Sequence, residues 1–357
     1  MSLPLTTRSF GVEIECLVPR YTRAQVAAAI TAEGVDCYDA GYTHQTSRKW
    51  KVVSDGSVRG NGAMELVSPP LRGAAGFDAI SKVSAVLLRM GATVNSSCGL
   101  HVHVDATTPA FPVAAMRKLA AMYMENENVI DSLLPASRRA SNNMYCTSVA
   151  TNTNVDSLQR ATNATQIANA IANGGRYVKL NFTSFWRHGT VEFRHHSGTV
   201  DAAKINKWAL ICLRMMVAAE RDSGEPITLA TTSRPQGYGK SARRLRTIYD
   251  LLARPNGCTR QEVATALGRS TMPPLNRILR NAGFTYRVTH NHRAAGAYNL
   301  TRRTERYVLE ATPTTAATAA TLDTFMGKLE MADDEKVFWV ERAALLRSVA
   351  TRNQVAA

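Results

Sequence analysis

The most constraining feature of this 357-residue chain is a set of short stretches that alternate with period two and carry acids or imidazoles on their polar side. In Phe10-Gly11-Val12-Glu13-Ile14-Glu15, the apolar residues Phe10, Val12 and Ile14 fall on one face of a strand and both glutamates on the other. Cys98-Gly99-Leu100-His101-Val102-His103-Val104-Asp105 puts His101, His103 and Asp105 on one face, and Val191 to His196 does the same for Glu192, Arg194 and His196. Met64 to Val67, with Glu65, and Tyr177 to Phe182 read as strands too; there Lys179 and Asn181 share a face that lines a pocket or meets water. A lone Glu-x-Glu is usually a solvated strand face. Several such faces in one chain can be gathered by an antiparallel sheet into a single surface. Clustered carboxylates raise one another's pKa unless cations neutralise them. A carboxylate set with an imidazole suits Mg2+, with Mn2+ as the alternative, and a guanidinium fork fits a phosphoryl group in transfer.

The rest of residues 1–222 reads as one domain. Phe77, Ile80, Val83, Leu87 and Met90 form a helical stripe closed by Gly91. A second helix is expected from Asp201 to Arg221 with Ile205, Trp208, Ala209 and Cys212 inward. Residues 147–175, rich in Asn, Thr and Ala, read as a polar excursion with one short helix. Residues 223–245 read as a basic linker, 246–303 as a second unit, and 304–357 as a low-complexity linker with a C-terminal helix over about Asp334 to Arg352 carrying Val337, Phe338, Leu345 and Val349.

Five ordered motifs of the first domain together resemble the amidoligase family of carboxylate–amine ligases, which belongs with glutamine synthetase and glutamate–cysteine ligase. They are Phe10 to Glu15, Trp50 to Val58 with its Asp55-Gly56-Ser57, Met64 to Pro69, Cys98 to Asp105, and Thr190 to Thr199. The resemblance covers roughly residues 8–220 and implies an α+β glutamine-synthetase-like fold, a curved antiparallel sheet backed by helices. By motif it makes Glu13, Glu15, Glu65, His101 and Glu192 ligands of Mg2+, and Glu192 and Arg194 the catalytic pair, with Arg194 on the ATP phosphates. His103, Asp55, Asn181 and His196 are candidates for ATP or substrate contact. The implied reaction is amide formation from a carboxylate and an amine, with ATP spent through an acyl phosphate. That chemistry needs no protein nucleophile, in keeping with the lack of a G-x-S-x-G elbow.

A competing reading is a metal-dependent hydrolase built on His101, His103 and Asp105. The next residue is Ala106, where the H-x-H-x-D-H zinc signature needs histidine, and that reading leaves Glu13, Glu15 and Arg194 unexplained. Gly237-Tyr238-Gly239-Lys240-Ser241 imitates the end of a P-loop, but Arg234 stands where its first glycine belongs.

In the second unit, residues 242–253 form an amphipathic helix, Thr259-Arg260-Gln261-Glu262 is a capping box opening a helix over Arg260 to Leu267, and a third helix carries Leu275, Ile278 and Leu279. Phe284 to Thr289 and Ala297 to Thr301 then read as a hairpin. The order resembles a winged helix-turn-helix, which implies DNA contact through Asn276, Arg277, Arg280 and Arg293. A different-class alternative follows: a DNA-binding regulator whose ligase-like domain senses a nucleotide or metabolite.

Charge supports two polyanion sites. The chain carries a net +15, and residues 223–310 hold 15 basic against 5 acidic residues. Six cysteines without a C-x-x-C pair suggest a reducing, cytoplasmic setting. The longest apolar stretch, Trp208 to Ala219, is interrupted by Arg214 and too short to span a bilayer, so no membrane partner is expected.

Overall fold

A computed structural model describes residues 7–139, 141–225, 244, 247–248, 250–252, 258–270, 275, 286–290, 305–309 and 322–355. The chain forms two compact units, Met1–Ile227 together with Ala320–Ala357, and Thr228–Ala319 between them. The C-terminal helices therefore belong with the first unit, not with a separate tail.

The first unit runs β1 (Phe10–Leu17), α1 (Arg23–Ala32), β2 (Cys37–Gly41), β3 (Trp50–Val53), β4 (Ala63–Val67), α2 (Gly73–Arg89), β5 (Gly99–Asp105), α3 (Val113–Ser132), α4 (Val155–Arg160), α5 (Ala164–Ala170), β6 (Leu180–Asn181), α6 (Ser184–His188), β7 (Thr190–Ser197) and α7 (Ala202–Arg221). Its seven strands are ordered β2-β3-β4-β1-β5-β7-β6. Every neighbouring pair is antiparallel except β2 and β3, which are parallel, so the sheet is mixed where the family resemblance implied an antiparallel one. A parallel pair forces residues 42–49 to travel back along the strands, and Thr43, His44, Gln45 and Ser47 of that return wall the cleft described below.

The two faces of the sheet differ as the alternation requires. Phe10, Val12, Ile14, Leu66, Leu100, Val102, Val104, Val191 and Phe193 are all buried. The helices α2 and α7 grow from the expected residues: Gly91, in the left-handed region at φ +73°, follows α2, and the Asp201 side chain caps α7 by accepting from Ala203 N at 2.9 Å. The helix α7 buries Ile205, Trp208, Ala209 and Cys212.

Apolar patterning does not single out α3, because its buried face contains Asn126, Glu127 and Asp131. Those acids are paired from the sheet. Lys179 Nζ donates to Glu127 Oε1 at 2.7 Å and Asp131 Oδ1 at 2.6 Å, and His195 Nε2 lies 2.6 Å from the same Asp131 oxygen. Lys179 is thus buried in this network and does not share Asn181's surroundings. The polar excursion forms two short helices instead of one, since Asn154 and Asn163 each cap a separate start, α4 and α5.

In the second unit, β8 (Cys258–Thr259), α8 (Arg260–Ala266), β9 (Tyr286–His290) and β10 (Glu305–Leu309) are described, with the strands ordered β8-β10-β9 and antiparallel. The capping box is present: Thr259 Oγ1 accepts from Glu262 N at 3.2 Å and Glu262 Oε2 from Thr259 N at 2.6 Å. Ile248, Leu251, Leu252, Cys258, Val263 and Leu275 form its core. The strand after Tyr286 is as expected, but its partner is Glu305–Leu309; the expected 297–301 strand lies outside the described residues. So do Asn276, Arg277, Arg280 and Arg293, and most of the basic linker.

After it come α9 (Leu322–Lys328) and α10 (Asp333–Val355). The helix α10 buries Trp339 and Ala343, whereas Val337 and Leu345, two of the apolar residues noted for it in the sequence, are exposed. Trp339 packs on Trp208 with ring centroids 6.2 Å apart, Arg214 pairs with Glu335 at 3.2 Å, and Arg342 Nε donates to Leu133 O at 3.0 Å. No described helix is long and apolar enough to cross a membrane.

Candidate active site

Strand register converts the separate motifs into a grid. Directly paired residues of adjacent antiparallel strands share a face. One row runs Lys51, Val67, Glu13, His101 across β3, β4, β1 and β5. The next runs Val53, Glu65, Glu15, and a third runs Gly11, His103, Glu192, Asn181. The polar residues of six strands therefore meet on one surface.

The distances show how closely. His101 Nδ1 is 3.0 Å from Glu13 Oε2 and its Nε2 is 3.8 Å from Glu15 Oε1. His103 Nε2 is 3.4 Å from Glu13 Oε1 and 3.8 Å from Glu192 Oε1. Asn181 Nδ2 donates to Glu192 Oε2 at 2.7 Å, and Arg194 forms an ion pair with the other oxygen of Glu192. Gly99 N donates to Glu15 Oε2 at 2.5 Å, and a Cβ on Gly99 would come 2.9 Å from His101 Nε2, so only glycine lets the two groups converge there.

The electrostatics demand added positive charge. Burial and the charges of Glu13, Glu15 and Asp55 push the Glu65 carboxyl well above the usual carboxylate range. Burial opposes ionisation of Glu13 as well, but His103 and His101 hold it well below. Glu192 is likewise lowered, with Arg194 and His103 outweighing burial. His103 is raised because Glu13 and Glu192 outweigh its burial.

Three sets of groups offer ligand atoms within 4.8 Å of one another: Glu13, His103 and Glu192; Glu13, Glu65 and His101; and Glu15, Asp55 and Glu65. Two carboxylates are shared among the sets. The residues fit a divalent cation on a further ground. His103 Nδ1 is held 2.9 Å from Thr190 Oγ1, which leaves Nε2 aimed at the carboxylates, buried and, among the described residues, without a hydrogen bond. Oxygen-rich sets with one imidazole suit Mg2+ or Mn2+.

All the first-domain residues expected at the site converge there except two. His196 is corrected by a β-bulge: Val102 pairs with Phe193 but Leu100 pairs with His196, so Arg194 and His195 together oppose His101. The extra residue turns His196 to the helix side, 5.2 Å from the Trp208 ring and 6.5 Å from that of Trp339. Asp105, of the hydrolase reading, belongs to none of the three ligand sets. Its Oδ1 accepts from Thr107 N and Oγ1, both at 2.8 Å, to close its own turn. Asp55 gains a definite place beside Glu15 and Glu65.

The cleft over this surface has a volume of about 700 Å³. Sequence reasoning did not single out Arg138, Arg176, Arg187 or His188, which also line it. They lie on turns and on the five-residue helix α6, where no periodicity marks a face. Burial disfavours the cationic form of His188 and the neighbouring His103 adds to that, so its pKa is lowered.

A family model described as "Putative amidoligase enzyme" matches residues 6–216. Comparison with curated proteins gives no match. The matched span contains the whole seven-stranded sheet and every carboxylate, imidazole and guanidinium of the grid. On that match, and with its motifs assembled on one face, the chain belongs to the amidoligase family, whose description is that of an amide-bond-forming ligase.

Proposed function

We propose that the chain is an ATP- and Mg2+-dependent carboxylate–amine ligase that works through an acyl phosphate. The observation that carries this reading is the fusion of three ligand sets through Glu13 and Glu65, with Arg194 beside them. Glu13, Glu15, Asp55, Glu65, His101, His103 and Glu192 would hold the divalent ions, which when bound offset the charge of the ATP phosphates.

In the first step a carboxylate oxygen attacks the γ-phosphorus of ATP and ADP leaves with the bridging oxygen. In the second the amine nitrogen attacks the acyl carbon, the C–O bond to phosphate breaks, and a proton passes from nitrogen to solvent. Arg194 keeps its charge throughout. Burial opposes that charge, but Glu192 and Glu13 outweigh it and raise the pKa. Its Nε is buried and, among the described residues, without a hydrogen bond, which leaves a donor for an oxygen of the transferring phosphoryl group. Asn181 fixes Glu192, and Thr190 fixes His103, so neither group must reorganise during transfer.

The second unit is proposed as the recruiting element for nucleic acid, on the excess of 15 basic over 5 acidic residues in 223–310. Affinity for a DNA duplex that falls steeply with salt supports that part, and salt-insensitive or absent binding refutes it.

The ligase reading is tested by incubating the full chain with Mg2+-ATP and a small-molecule extract, then following ADP, phosphate and new amides by mass spectrometry. Glu13→Gln and Arg194→Ala are expected to abolish turnover. Release of AMP and pyrophosphate would refute the acyl-phosphate route.

A further inference from the structure

Next to the large cleft lies a smaller one of about 260 Å³. The two share Glu13, Glu65 and His103, so they meet at the reacting centre. The larger lies within the usual range of ligand pockets, roughly 300–1,000 Å³, and has room for a nucleotide; the smaller sits just below that range and suits a compound of amino-acid size.

The floor of the smaller cleft carries a cation that the first domain's motifs did not predict. Lys51, on β3, is 4% exposed. Its Nζ donates to Gln45 O at 2.5 Å, which uses one of three ammonium protons, and among the described residues no carboxylate lies within 4.0 Å of it. A buried ammonium without a counter-ion is costly, and an arriving anion would relieve the cost. Register places Lys51 in the same row as Glu13, two strands away, or about 10 Å between backbones at the usual strand spacing.

We propose that the smaller cleft takes the acid substrate of the ligation and that Lys51 anchors a second, non-reacting anionic group of that substrate. The substrate is thus a small compound with two anionic groups, such as a dicarboxylate or an acidic amino acid. One group sits on Lys51 and the other reaches Glu13 and His103, where the two clefts meet. The inference rests on the ligase reading for which group reacts, but the anchoring role can be measured apart from it. An ATP phosphate is the other anion that could meet Lys51, and the experiment separates the two.

Binding of aspartate, glutamate, succinate, glutarate and adipate to the full chain is measured calorimetrically, with and without Mg2+ and a non-hydrolysable ATP analogue. At least one of these acids is expected to bind. Lys51→Gln is expected to weaken that binding at least tenfold, and Lys51→Arg to retain most of it. Nucleotide affinity, measured on the same samples, is expected to stay within twofold and so reports an intact fold. The proposal is overturned if none of the acids binds, if Lys51→Gln leaves acid binding unchanged, or if it weakens the nucleotide instead. Acid binding that depends on Lys51, in a protein that binds no nucleotide, supports the anchor and refutes the ATP reading.

Discussion

Lowering the pH from 7.5 to 5.0 should destabilise the first unit through two histidines behind the sheet. Burial drives the pKa of His195 down to about 4 and that of His196 to about 3, against an ordinary value near 6.5. In the unfolded chain both protonate below 6.5, whereas in the folded protein both remain neutral at pH 5. The stability that these depressed values reflect is therefore fully present above 6.5 and is lost as the pH falls toward 3 to 4. At pH 5.0, which is 1.5 units below 6.5, each histidine costs about 2 kcal/mol, at 1.36 kcal/mol per unit. Urea unfolding followed by tryptophan fluorescence reads this region directly, since Trp208 and Trp339 flank His196. The His196→Gln variant loses packing at every pH, so the informative quantity is the change between the two pH values. It should fall by about 2 kcal/mol less than in the parent. Equal losses in the two proteins, with unchanged urea dependence, would show that His196 is not held neutral.

Other perturbations test the remaining parts of the structure. Lys179→Met leaves Glu127 and Asp131 buried without their cation and should cost about 3–5 kcal/mol by urea denaturation; a loss under about 1 kcal/mol would mean that solvent screens these pairs and Lys179 adds little. Gly99→Ala forces a Cβ to within 2.9 Å of His101 Nε2 and should lower Mn2+ affinity about tenfold, read by electron paramagnetic resonance, while far-ultraviolet circular dichroism stays unchanged.

Most of the site was legible because period-two alternation is a local property. Glu13, Glu15, His101, His103, Glu192 and Arg194 each stand opposite apolar neighbours in their own strand, and all six reach the same face. What escaped had no local signal. Helix α3 hides in the pattern because its buried acids find partners on the sheet, Lys179 and His195, which lie about 50 to 65 positions later. Arg138, Arg187 and His188 lie on a turn and a single short helix, and Lys51 sits within the run Trp50 to Val53, which is buried throughout.

The amino-acid sequence by itself determined the polarity of each strand, the caps of α2 and α7, and the motifs that carry family membership. These follow from side-chain alternation, from a glycine or aspartate at a helix end, and from residue identity. Tertiary structure decided which strand lies beside which, and therefore which acids share a ligand set. It also placed Asp55 beside Glu15 and Glu65, docked Trp339 on Trp208, and sent His196 away from the site. The physical reason is the same in each case. One extra residue in β7 reverses a face, and a buried charge or ring is satisfied only by what another strand or helix brings against it.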